Sequence, residues 1–196
     1  MRKVLNKSWF DFEEKEEVRT TIILGVLALL IPLFLSKLIS LIFGEASLIT
    51  DNSQVIIGTI VNSLLIVCAL NLKGIKKIIG VITMPSIAII ISGYLFGPLS
   101  SGMIWMIPAI WLGNFALVYL FKWLMIEKKW NYFLTGIVAV IVKVLIIFGL
   151  FNLLKAFGVF PSDVIDTLKY SMGIMQGFTG ILGVLLGYLI YTSYRY

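Results

Sequence analysis

From Ile78 to Phe121 the chain runs 44 residues without a charged side chain. One membrane-spanning helix needs about 20 mostly apolar residues. The run is therefore twice what a single crossing requires. It is broken by Gly97-Pro98-Leu99-Ser100-Ser101-Gly102, a turn-forming cluster, so it reads as two helices joined by a tight hairpin. The rest of the chain divides the same way. Thr20 to Ser36 is uncharged, and its apolar character continues past Lys37 to Phe43. Asn52 to Leu72 is a second uncharged stretch, Tyr132 to Leu154 carries only Lys143, and Tyr170 to Tyr194 closes the series. The expected fold class is all-α integral membrane, a six-helix bundle with both termini cytoplasmic. Its helices fall at about 20–43, 54–72, 77–96, 102–124, 131–155 and 164–193, making residues 20–196 one membrane domain behind an N-terminal segment, 1–19.

Composition excludes the other classes. Hydrophobic residues make up 60% of the chain and charged residues 13%, with a mean hydropathy of +1.03. A soluble domain carries roughly 25% charged residues, so these few cannot cover a water-facing surface. A disordered chain is excluded by the same numbers. One cysteine, Cys68, rules out a disulfide framework and a cysteine-based metal cluster. Histidine is absent, which removes the commonest general base and zinc ligand. No metal or cofactor is expected.

Orientation follows from the basic residues in short connections. Arg2, Lys3, Lys7, Lys15, Arg19, Lys73, Lys76, Lys77, Lys122, Lys128, Lys129 and Arg195 fall on one side. Lys37, Lys155 and Lys169 fall on the other. The side rich in bases is expected to be cytoplasmic, so the net charge of +6 reflects topology and not a nucleic-acid footprint. Trp123, Trp130, Tyr132, Tyr191 and Tyr194 suit an aromatic belt there. In the N-terminal segment Val4, Leu5, Trp9 and Phe12 recur at helical spacing. That pattern fits an interfacial amphipathic helix or a solvated tail.

Lys143 is the residue that composition least explains. It lies eleven residues from Tyr132 and eleven from Leu154, about 16 Å from either end of its helix. A charge at the bilayer centre costs about 2.5–3.5 kcal/mol on insertion scales, and such residues mark functional sites by default. No acid lies in any of the apolar runs that mark the spans, so carbonyls, amides, water or an anionic ligand must compensate. A second account has the amine uncharged, since desolvation disfavours the ammonium form. Asn114 and Trp111 are three residues apart on the fourth span, and Gln176 lies about two turns into the sixth. The candidate ligand-binding set is Lys143, Trp111, Asn114 and Gln176. For Asn62, on the second span, helix-to-helix glue is the preferred reading. Gly173, Gly177, Gly180, Gly183 and Gly187 on the sixth span are read as close packing within the bundle.

No GxxxxGK[ST] loop, HExxH, GxSxG or intramembrane carboxylate pair occurs, and catalysis is not expected. The stretch Pro85-Ser-Ile-Ala-Ile-Ile-Ile-Ser-Gly-Tyr-Leu-Phe-Gly97-Pro98-Leu-Ser-Ser-Gly102, with a polar-bearing helix after it, resembles substrate-binding S-components of energy-coupling factor (ECF) vitamin transporters. Length, helix number and termini resemble that family across the whole chain. The resemblance implies a binding subunit in a bacterial plasma membrane. It would capture a small vitamin-like solute, anionic if Lys143 meets it, and dock on a coupling transmembrane subunit with ATPase subunits. It also implies a pocket from the last three spans, with Glu45 to Gln54 in the lid. Where the family usually shows AxxxA on its first helix, this chain has Thr21-xxx-Gly25 and nearby Ala28. The alternative function is a self-contained small transporter or channel, with a homodimer through the sixth-span glycines as one form of it.

Overall fold

The computed structural model describes residues 15–43, 53–72, 75–92 and 100–193, and every regular element among them is helical. Helices α1 (Lys15–Phe43), α2 (Ser53–Asn71) and α3 (Ile75–Ser92) are followed by α4 (Ser100–Leu120), which a π-helical stretch, Phe121–Glu127, prolongs. Helix α5 (Tyr132–Ala156), a 3-10 turn (Ser162–Val164), α6 (Ile165–Met172) and α7 (Ile174–Ser193) complete the chain. Among the described residues, five stretches are long and apolar enough to cross a membrane: Arg19–Ile39, Ser53–Asn71, Met103–Glu127, Tyr132–Ala156 and Ser162–Ser193. Helix α3 adds a shorter apolar stretch, Lys77–Ala88. The expected interfacial helix near residues 4–12, residues 45–52 of the expected lid, the 97–99 turn, and Tyr194 and Arg195 lie outside the described residues.

The helix surfaces are apolar as well as the core. Ile22, Phe34, Leu41, Ile91, Leu145, Ile174 and Leu189 are all exposed. That pattern is compatible with an apolar solvent such as a membrane interior. Local sequence sets the helix ends. Asn131 caps α5, its side-chain oxygen accepting from the Phe133 N–H at 2.9 Å and the Leu134 N–H at 3.4 Å. After α5 the chain turns at Gly158, whose φ of +68° is costly for any residue with a Cβ.

Three boundaries differ from those read in the sequence, the first being α1, which already begins at Lys15, inside the expected 1–19 segment. The expected helix over 164–193 is interrupted at Gly173, between α6 and α7. A Cβ at Gly173 would stand 3.1 Å from the Lys169 carbonyl and 3.2 Å from the Phe148 ring, so only glycine fits that break easily. The fourth span runs on past 124 because its last turns open into π geometry, with the Lys128 N–H bonding the Trp123 carbonyl at 3.0 Å. This turns Lys122, grouped above with the bases of the connections, into the bundle. Its Nζ donates to the Leu72 carbonyl and, at 3.4 Å, to that of Ala69. Those oxygens close the C-terminal end of α2, where intrahelical donors run out.

The bundle is organised around two tight pairings, α2 with α7 and α4 with α5, with α1 and α3 packed together beside them. Glycine makes the first pairing possible. A Cβ on Gly183 would collide with the Asn62 Cβ and stand 3.2 Å from the Asn62 backbone. Helices α5 and α7 interlock reciprocally: a Cβ on Gly136 would meet Val184 at 2.6 Å, and one on Gly180 would meet Val140 at 2.7 Å. These α7 glycines face neighbours inside the bundle, as expected for close packing within it.

Burial concentrates in two apolar clusters. One gathers Leu64 to Leu72, Ile78 to Ile82, Leu117, Phe121, Tyr132, Val140 and Val184. The other gathers Met103 to Ile110 with Ile147, Phe151, Leu168 and Met172. Along α4, Asn114 falls between the residues of the two clusters, and along α5 Lys143 does the same. The polar residues thus occupy the layer that neither cluster fills.

Candidate functional site

That layer holds a cavity of about 80 Å³. Helix α1 contributes Pro32, α3 contributes Pro85 and Ser86, and α4 contributes Met103, Ile110 and Asn114. Helix α2 supplies Gln54, Ile57, Gly58, Val61 and Asn62; α5 supplies Lys143; α7 supplies Gln176 and Thr179. Among the described residues no acidic side chain lines it. Pro32 and Pro85 each lack the N–H that would bond the carbonyl four residues earlier, so two helices on one wall interrupt their backbone ladders here.

Lys143 is 2% exposed, and its Nζ donates to Asn62 Oδ1 at 2.5 Å. Asn62 Nδ2 in turn donates to Thr179 Oγ1 at 3.4 Å, and the Thr179 hydroxyl donates to the Met175 carbonyl at 2.8 Å. The chain of bonds has one direction. A carbonyl can only accept, so the threonine hydroxyl must donate to Met175 and offers its oxygen to Asn62. The amide then has its NH2 toward Thr179 and its oxygen toward Lys143. Three helices, α5, α2 and α7, are thereby tied to one amine. An ammonium has three donors, and among the described residues Asn62 is the hydrogen-bond partner of Lys143. Two donors remain for whatever enters the cavity.

The other polar groups are less engaged. Asn114 is 2% exposed and makes no hydrogen bond among the described residues, and the Gln176 side chain likewise has none. The Ser86 hydroxyl is buried without a partner among the described residues. The site therefore combines one cation with several unengaged amide and hydroxyl groups on an apolar wall. It can hold an anionic group without proton transfer or covalent chemistry. No cluster of three metal-ligating side chains exists among the described residues.

The structure brings together three of the four residues singled out in the sequence: Lys143, Asn114 and Gln176. Trp111 is placed elsewhere. It is 37% exposed and does not line the cavity. Three residues along a helix leave about 60° between side chains, and here that angle separates a buried face from an exposed one. Gly113 marks the inward direction: a Cβ there would stand 2.6 Å from Ile147 and 3.3 Å from the Lys143 carbonyl. Trp111, two residues earlier, points away from it. Asn62 ties helices together, as expected, and one of the groups it ties is Lys143. Thr179 and Ser86 were missed. Thr179 stands one turn beyond Gln176 on the same face, a signal available in the sequence; Ser86 offered none.

Comparison with protein-family models, curated proteins and solved structures finds no match to this chain.

Proposed function

We propose that this chain is the substrate-binding subunit of an ECF-type importer in a bacterial plasma membrane. It captures a small vitamin-like anion from outside and hands it to a coupling membrane subunit driven by ATPase subunits. One observation carries the reading: a cavity at mid-bundle is lined by Lys143, tied to Asn62, and by no acidic residue among the described residues. A buried cation with donors to spare and no carboxylate among the described residues around it is complementary to an anion that arrives from elsewhere. The resemblance of the 85–102 stretch to S-components supports the class of importer.

The test uses the gently purified protein. Small molecules released on denaturation and identified by mass spectrometry should include one bearing a carboxylate or phosphate. Offered to the lone chain in liposomes, that molecule should bind without accumulating inside. Accumulation would favour the self-contained transporter, and absence of any anionic solute would contradict the binding site.

The importer reading also requires six crossings with both termini in the cytoplasm, α3 making the third. The distribution of bases supports this arrangement. Reporter fusions in the connection at 45–51 should register the outside and fusions at either terminus the inside. A cytoplasmic signal from 45–51 would overturn the orientation.

A further inference from the structure

Two of the stretches long and apolar enough to cross a membrane, Met103–Glu127 and Tyr132–Ala156, are joined by four residues: Lys128, Lys129, Trp130 and Asn131. A connection that short between two crossings has to sit at a membrane surface, at the depth of the lipid headgroups. All four residues are exposed.

The way the fourth span ends arranges this connection. Phe115, Tyr119 and Trp123 stack in a column along it, with ring centroids 6.0 and 6.4 Å apart. Tyr119 and Trp123 are exposed, so the column faces out of the bundle. The Lys128 ammonium stands 5.7 Å from the centroid of the Trp123 ring. Five residues along an α-helix leave side chains about 140° apart. The π winding of Phe121–Glu127 narrows that angle and sets the cation over the ring. Lys129 follows at a φ of +57°, the left-handed conformation that helix ends usually give to glycine. A lysine kept where glycine would be unstrained points to a role for its charge. Neither ammonium donates a hydrogen bond among the described residues, and Glu127 is the one acid between residues 100 and 156.

We infer that Lys128 and Lys129 form a headgroup site for an anionic phospholipid, with an acyl chain laid along the Phe115–Tyr119–Trp123 column. The two ammonium groups meet the phosphate with unused donors. The column offers a flat apolar wall that descends about 12 Å from them, eight residues at about 1.5 Å each. Trp123 serves both halves of the lipid, holding the cation on its face and opening the wall. None of these residues lines the cavity, so the site stands whatever binds at Lys143.

The experiment titrates purified protein in a nonionic detergent with dioleoyl phosphatidylglycerol and with dioleoyl phosphatidylcholine, reading bound lipid by native mass spectrometry. A basic residue beside an anionic headgroup is worth about fivefold in affinity, so wild type should prefer phosphatidylglycerol about twentyfold or more. Lys128→Gln and Lys129→Gly should each lower that preference about fivefold, and together they should abolish it. Lys129→Gly should melt no lower than wild type in phosphatidylcholine, because glycine relaxes the left-handed backbone. Lys155→Gln with Lys169→Gln, a pair of exposed lysines elsewhere, should leave the preference unchanged. Equal binding of the two lipids by wild type would overturn the site. So would a preference that survives the double substitution at 128 and 129, or one lost equally in the Lys155 and Lys169 control. A Lys129→Gly protein that melts well below wild type would overturn the strain at 129 and the reason for a lysine there. Glycerol 3-phosphate lacks chains and should not displace phosphatidylglycerol at equal concentration; displacement would overturn a lipid as the occupant.

Discussion

Replacing Gly183 with leucine should abolish the monodisperse, folded protein, the largest effect expected of any single substitution in the bundle. The side chain would have to occupy space taken by Asn62, both its Cβ and its backbone. Backbone cannot rotate away as a side-chain tip can. Overpacking a well-filled core costs typically about 1–3 kcal/mol and occasionally more, and here relief requires separating α2 from α7, the most extensive helix pair. Separation also breaks the bond from Asn62 to Thr179 and displaces the partner of Lys143. Gly149→Leu is the matched control, since a Cβ there meets nothing within 4 Å. Size-exclusion profiles and melting curves in detergent read the difference. A Gly183→Leu protein as stable as Gly149→Leu would show that the two helices are not in contact at that level.

Lys143→Met should fold, whereas Asn62→Leu should not fold as well. The two substitutions remove opposite ends of one hydrogen bond, and their costs differ because only one end is charged. Methionine at 143 strands the Asn62 oxygen, a loss of about 1–3 kcal/mol. It also removes a cation from the membrane centre, a relief of about 2.5–3.5 kcal/mol. The relief matches or exceeds the loss, so the variant should lie between about 0.5 kcal/mol less and about 2.5 kcal/mol more stable than wild type. Leucine at 62 leaves the cation buried without its acceptor, and a hydrogen bond to a charged group is worth about 1.5–3 kcal/mol. Adding Lys143→Met to Asn62→Leu should therefore restore stability, a coupling that a double-mutant cycle measures. Additive losses in the cycle would mean that the two side chains do not depend on each other.

How much of this was legible beforehand depends on the kind of signal. Long uncharged runs declare membrane helices because lipid tolerates nothing else, and each of the five membrane-length helices coincides with such a run. Lys143 declared itself through the cost of its position, and Asn114 and Gln176 through their depth among apolar neighbours. Contacts between distant segments were silent. Asn62 and Lys143 are 81 residues apart, and nothing in either stretch names the other. Small hydroxyls are the least legible of all. A serine in an apolar helix usually satisfies itself, so only the structure distinguishes Ser86, which does not, from Ser63, which does. Trp111 was assigned inward from a three-residue spacing, too coarse to decide which flank of α4 faces the cavity. The π-helical stretch that turns Lys122 inward has no counterpart in hydrophobic periodicity, which sees only that the apolar run ends.

The central claim is that Lys143 is held at mid-bundle to meet an anion. Calorimetric titration of the anionic solute released from the purified protein, into wild type and into Lys143→Met, tests it most directly. Loss of a buried charge-assisted contact worth about 1.5–3 kcal/mol predicts affinity weakened about ten- to a hundredfold in a variant that still folds. Equal affinity in the two proteins would contradict the account and return Lys143 to helix packing.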